Sequence, residues 1–169
     1  MASVVGDEVN GDLLRRLSDK SSQTLQHELQ SLLTAGVLVD AVGTTKNQYR
    51  FRQSLFQEVA YQTLLRDDKK RLHLKVGEAI RDSHPELAST QPERVAWHFT
   101  AAQSPEQAIT FWLQSATRAS SLSANDECFS HINAARSLLE SLNNNADREA
   151  LELELNIVHA SVLLSLIHI

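Results

Sequence analysis

Between Tyr49 and Leu65 the apolar periodicity of the chain changes from that of a strand to that of a helix, and this switch constrains the fold more than any other stretch. Tyr49 and Phe51 fall on one side and Arg50 and Arg52 on the other, the two-residue alternation of a strand with one covered face. From Leu55 the apolar positions take helical spacing, with Leu55 and Val59 in line and Phe56, Ala60 and Leu64 one step around. The spacing predicts a short strand that runs straight into an amphipathic helix.

The residues before this junction complete a small unit. Asn10 is placed to cap a helix bearing Leu13, Leu14 and Leu17, and Ser22 to cap a second. In the second helix Leu25, Leu29, Leu32 and Leu33 stand at the i, i+4, i+7, i+8 spacing of one buried face. Gly36 follows where a left-handed C-cap is needed. Val37-Leu38-Val39 reads as a strand, residues 40–47 as a polar loop around Gly43, and residues 48–52 as the returning strand. Two helices, a two-stranded wing and a closing helix are expected to form a winged-helix-like domain over residues 1–66.

Residues 67–169 read as helical throughout. Leu72, Val76, Ala79 and Ile80 mark a helix after the charged run at 66–71, ending at Ser83-His84-Pro85 because proline disfavours helix in the residue before it. Pro92 suits the first turn of a helix carrying Val95 and Phe99. Ser104-Pro105-Glu106-Gln107 has the form of a capping box before Ala108, Ile109, Phe111, Trp112 and Ala116. Ser123 is expected to open a helix with Phe129, Ile132, Ala135, Leu139 and Leu142, and Asn143-Asn144-Asn145 to turn the chain. Leu151, Leu155, Val158 and Val162 line the last helix. Helices joined by short turns, with alanine at contact positions, suggest antiparallel pairs of a tetratricopeptide-like kind, although the Trp-Leu-Gly-Tyr signature is absent. The expected fold is therefore mainly α: a winged-helix-like domain with a small β-wing, then TPR-like helical pairs.

Charge and cysteine usage narrow the function. The net charge is −5, so no global basic field draws the chain to nucleic acid or an anionic membrane. A single cysteine, Cys128, excludes an intrachain disulfide and suits a reducing, cytoplasmic setting. No basic, apolar leader is visible, and no apolar run reaches the roughly 18 residues of a membrane span. The apolar turn at the start and the apolar helix at the end read as cut faces of a longer protein. Residues 164–169 also resemble the translation of a transposon end used in sequencing libraries; they are either such a foreign tail or the natural end of a helix.

Catalytic patterns are missing. There is no phosphate loop, dinucleotide turn or nucleophile elbow. The seven histidines lack the i, i+4 pairing of helical zinc sites. Glu152 and Glu154 diverge around a helix, and Cys128 beside Phe129 reads as a small buried residue. Trp97-His98 and Trp112 are expected to pack between helices, with His98 at a helix edge. The one basic cluster, Arg66, Lys69, Lys70, Arg71 and Lys75, is interrupted by Asp67 and Asp68 and reads as a solvated face, or else as a contact for an acidic partner or the ATP phosphates of a missing domain. The helix that a winged-helix protein would place in the major groove, residues 22–35, contains no Lys or Arg. Its polar side offers Gln23, Gln26, His27, Glu28 and Gln30, which argues against DNA binding because phosphate contacts need cations.

Several blocks carry a resemblance. Ala2-Ser3-Val4-Val5-Gly6, Leu32-Leu33-Thr34-Ala35-Gly36-Val37-Leu38, Phe51-Arg52-Gln53-Ser54-Leu55 and Gln57-Glu58-Val59-Ala60-Tyr61-Gln62-Thr63-Leu64-Leu65 follow one another in order. Leu72-His73, Ala96-Trp97-His98-Phe99-Thr100-Ala101-Ala102, Ala108-Ile109-Thr110-Phe111-Trp112 and Ser123-Ala124-Asn125-Asp126-Glu127 come after them. Together they resemble the region that follows the nucleotide-binding domain in bacterial STAND or AAA-type signalling ATPases fused to class III adenylate/guanylate cyclases, and in the related large LuxR-type regulators. The resemblance covers nearly the whole chain, and its most specific block is the one from Phe51 to Leu65. It implies a winged-helix module that packs on the ATPase, then a helical arm that binds a protein partner or effector. It further implies a nucleotide-sensing histidine at the strand-to-helix junction, and Gln53 occupies that position. Glutamine offers an amide donor but not the charge of a histidinium; the alternative is that Gln53 only caps the helix or faces solvent.

The expectation is a non-catalytic regulatory segment of a cyclase-linked signalling ATPase. It has no cofactor of its own, ATP or ADP and magnesium belonging to the parent, and its first partner is the nucleotide-binding domain of the same polypeptide. The alternatives are a segment of an ATP-dependent LuxR-type transcription regulator and a free-standing helical-repeat adaptor.

Overall fold

The computed structural model describes residues 1–6, 8–41, 47–143 and 146–167. It is mainly helical with one small antiparallel sheet. The chain divides into two compact units, Met1–Asp82 and Ser83–Ile169, so the helix that follows Arg66 groups with the residues before it.

In the first unit, α1 (Ala2–Val5) leads into β1 (Glu8–Asn10), α2 (Gly11–Leu17) and α3 (Ser22–Thr34). Then come β2 (Leu38–Asp40), β3 (Gln48–Phe51), α4 (Ser54–Gln62) and α5 (Arg66–Ser83). The sheet order is β1-β3-β2, with Val9 opposite Tyr49, and Val39 opposite Arg50. Sequence reasoning expected two strands and missed β1. Three residues are too few to display alternation, and β1 exists because β3 supplies its hydrogen bonds. Val4, Val5, Val9, Leu13, Leu14, Leu17 and Leu38 are all buried, as are Val76 and Ile80 of α5.

Local signals explain most boundaries. Asn10 Oδ1 accepts from the N–H groups of Asp12 (2.8 Å) and Leu13 (3.2 Å), capping α2 as expected. The cap of α3 is Ser21, whose Oγ accepts from Thr24 N–H at 3.2 Å, not Ser22, which is the first helical residue. The expected buried face of α3 is only partly covered: Leu25 is buried, Leu29 and Leu33 are half-buried, and Leu32 is exposed. α5 starts inside the charged run rather than after it. Asp67 and Asp68 suit the positive end of the helix, and Asp68 pairs with Arg71 at 2.7 Å. The expected polar loop around Gly43 falls largely on residues 42–46, outside the described residues.

Gly36 closes α3 through two main-chain bonds, Gly36 N–H to Leu33 C=O and Val37 N–H to Leu32 C=O, each 3.0 Å. Its φ of 68° is left-handed, and a Cβ there would stand 3.0 Å from Arg52 Nη1. Gly36→Val should therefore cost about 2 kcal/mol or more, combining the left-handed penalty with the displaced guanidinium. Urea unfolding checks this, and a variant as stable as the parent chain would mean that the turn is not held in this conformation.

The second unit contains α6 (Pro85–Thr90), α7 (Pro92–Ala101), α8 (Pro105–Ser121), α9 (Asn125–Glu140) and α10 (Ala146–Ile167). α6 was not foreseen, because its six residues carry too little periodicity. α8 packs against α7 and α9, and α10 lies against both α8 and α9. One apolar cluster joins Ile109, Leu113, Ala135, Leu139 and Leu155; a second joins Ala116, Ala119, Cys128, Ile132 and Val162. Prolines open α6, α7 and α8, where a missing N–H costs nothing.

Two caps differ from expectation. Ser104 precedes α8 but its side chain makes no capping bond. Ser123 does not open α9; it is left-handed at φ 59°, and Ala124 takes the cap position. The turns after α7 and α8 are alike. Ser104 N–H donates to Phe99 C=O (2.9 Å) and Gln103 N–H to Thr100 C=O (3.0 Å), with Gln103 at φ 59°. Ala124 N–H donates to Ala119 C=O (2.9 Å) and Ser123 N–H to Ser120 C=O (3.0 Å). Of the expected turn Asn143-Asn144-Asn145, the last two residues lie outside the described ones.

Candidate functional site

Gln53 is the residue that the sequence singled out. It is the last extended residue before α4, at φ −137° and ψ 138°, and its side chain is exposed and makes no capping bond. Its carbonyl accepts from Phe56 N–H at 3.0 Å, while Arg52 N–H bonds Val37 C=O at 3.0 Å. The junction is thus fixed by main-chain bonds on both sides of a side chain that points to solvent.

What surrounds the junction is apolar. An open cleft of about 410 Å³ lies within the first unit, lined by Ala2, Leu29, Leu32, Phe51, Ala60 and Leu64 among others. Lys20 and Glu28 contribute to its lining and are paired with each other. α4 contributes to this cleft yet buries none of its own residues. Leu55 is 58% exposed, Val59 55% and Leu65, just beyond the helix, 73%. α1 holds α4 through a bond from Gln57 Nε2 to Ser3 C=O at 3.2 Å. The cleft thus presents a mostly apolar lining with one exposed ion pair at it.

A polar contact ties α4 to α5. Tyr61 Oη lies 3.0 Å from Nε2 of His73, whose side chain has no exposed surface, and the Lys69 ammonium stands 4.5 Å from the Tyr61 ring centre. Burial, with a smaller contribution from Lys69, lowers the His73 pKa from 6.5 to about 4, so its imidazole is neutral at pH 7. Sequence reasoning missed this pair. Its only trace was Tyr61 and His73 twelve residues apart in two successive helical patterns.

The other candidates are dispersed. In the basic cluster, Arg71 is held by Asp68, Lys75 reaches Asp19 at 3.3 Å, and Lys69 covers Tyr61. Cys128 is buried, which pushes its thiol pKa up against the pull of a backbone bond at Ser120. Glu152 pairs with Arg148 at 3.3 Å. His98 is buried, inside the helix packing rather than at its edge, while Trp97 is 49% exposed and not packed between helices as expected. Trp112 is half-buried and donates from Nε1 to Thr100 Oγ1 at 3.0 Å. In the second unit a cleft of about 660 Å³ is lined by Gln91, Glu93, Arg118, Glu127 and His131 among others. Burial lowers the His131 pKa, with Glu93 and Glu127 opposing.

Among the described residues no helix is long and apolar enough to cross a membrane. No family model matches the chain, and no solved structure matches it. Over 153 residues the chain is 28% identical to an uncharacterized protein of Rhizobium meliloti (strain 1021). That match takes in 90% of this chain and 15% of the length of the relative.

Proposed function

We propose that this chain is a non-catalytic regulatory and protein-interaction segment of a multidomain signalling ATPase, one linked to an adenylate/guanylate cyclase and working in the cytoplasm. In this reading α2, α3, the sheet and α4 form a winged-helix-like module, and the helices from Ser83 onward form a TPR-like arm. The observation that carries it is the uncovered apolar side of α4, with Leu55 and Val59 more than half exposed beside an apolar cleft. A monomeric surface seldom leaves such a stripe open unless something docks there. The most specific of the resembling blocks, Phe51 to Leu65, spans the same junction. Nucleotide and magnesium are then the business of the parent's nucleotide-binding domain, and Gln53 offers that domain an amide in place of an imidazolium. DNA is a poor partner, because the outward side of α3 presents Gln23, Gln26, His27 and Gln30 and no cation.

The test uses the full-length parent, with its nucleotide-binding domain and this segment also produced separately. Leu55→Glu with Val59→Glu should weaken their association about a hundredfold, since two desolvated apolar anchors are lost. Basal ATP hydrolysis in the full-length variant should rise as the docked resting state is lost. Unchanged affinity, or a parent without an ATP-binding domain, would falsify the proposal.

A further inference from the structure

α4 is fastened to its unit differently from the helices around it. Of its 9 residues only Gln57 and Tyr61 are half-buried, and the rest are exposed. These two stand at i and i+4, on one side of the helix, and each makes a side-chain hydrogen bond. Gln57 Nε2 donates to Ser3 C=O of α1 at 3.2 Å, and Tyr61 Oη lies 3.0 Å from His73 Nε2 of α5, with the Lys69 ammonium over its ring. α2 is shorter, at 7 residues, yet buries Gly11, Leu13, Leu14 and Leu17, and α5 buries His73, Val76, Gly77 and Ile80. Polar bonds hold α4 where burial holds its neighbours. The chain on either side of it is secured separately: Arg52 N–H donates to Val37 C=O at 3.0 Å, and Lys69 N–H to Leu65 C=O at 2.9 Å.

We infer that α4 is a releasable clasp, which melts out as a unit over Ser54–Gln62 while the sheet, α2 and α5 stay folded. A hydrogen bond of this kind contributes only a fraction of what a buried leucine does. So short a helix does not persist in water by itself, and release also returns its backbone entropy. Little apolar surface is uncovered in exchange, since Leu55, Val59 and Phe56 are already 58%, 55% and 37% exposed. The clasp governs a surface. Leu55 and Val59 lie across the helix from Gln57 and Tyr61 and form one stripe only while α4 is helical. Release removes that stripe, and a molecule seated on it selects the fastened state. The clasp operates whether or not the parent protein is an ATPase.

Amide hydrogen exchange of the whole chain tests this, read by nuclear magnetic resonance in increasing low concentrations of urea. The amides of residues 58–63 should exchange about a hundredfold faster than those of β3, relative to their intrinsic rates, and should respond little to urea. Tyr61→Phe, and Gln57→Met with its similar length and helix propensity, should each speed exchange in α4 about fivefold, the worth of one hydrogen bond. Leu13→Val trims a side chain that stays packed when α4 is released, so it should speed exchange in β3 and leave α4 unchanged. Exchange in α4 as slow and as urea-dependent as in β3 overturns the inference. So does Leu13→Val speeding both elements equally, because α4 then opens only with the whole unit. If neither Tyr61→Phe nor Gln57→Met alters α4, the two bonds are not its fastening and the inference fails there as well.

Discussion

Lowering the pH from 6.5 to about 4 should destabilise the Met1–Asp82 unit by about 3 kcal/mol through His73 alone. In the folded unit His73 is enclosed and its pKa lies near 4; in the unfolded chain it returns to 6.5. The unfolded chain therefore binds the proton first. Stability from the buried neutral imidazole is fully present above 6.5 and is lost as the pH falls through this window to the folded pKa. His73→Gln keeps a polar group toward Tyr61 but has nothing to titrate. Urea unfolding at a series of pH values should show the slope in the parent chain and not in the variant. Equal slopes would mean that the acid sensitivity resides in carboxylates and that the burial of His73 has been misjudged.

Phe99→Ala should cost about 4 kcal/mol, because a fully enclosed aromatic ring leaves a cavity that helical walls cannot close. Phe99 has no exposed surface, and its ring stacks on Phe111 with centres 5.7 Å apart and planes at 29°. The adjacent Trp97 is the control. It is larger, yet 49% of it is exposed, so Trp97→Ala should cost far less, about 1 kcal/mol or under. Thermal unfolding of the two variants compares them directly. If Trp97→Ala proves as damaging as Phe99→Ala, the inward side of α7 has been assigned the wrong way round.

The helical content and the strand-to-helix switch were legible in the sequence because each rests on a period repeated several times. Asn10, Gly36, Pro92 and Pro105 were legible for a different reason: each residue type suits its position through its own backbone chemistry. β1 was not, since a three-residue strand is defined by its partner rather than by itself. Ser123 misled because a serine before a helix usually caps it, whereas here main-chain bonds to Ser120 and Ala119 draw the chain into a left-handed turn. Trp97 shows another limit. It was expected between helices with His98, but the buried positions of α7 are taken by Val95, Ala96, His98 and Phe99, and Trp97 is left half exposed. At the candidate site the junction could be read and the openness of the cleft could not, because coverage of an apolar side depends on what packs against it in space.

The matching turns after α7 and α8 have a consequence for how this unit can change over time. Each return angle is set by main-chain donors and acceptors, with Gln103 in one case and Ser123 in the other at the left-handed position. Neither turn draws its geometry from the identity of a side chain. Mutations can therefore rewrite the outward surface of these helices while the scaffold that carries that surface is inherited unaltered.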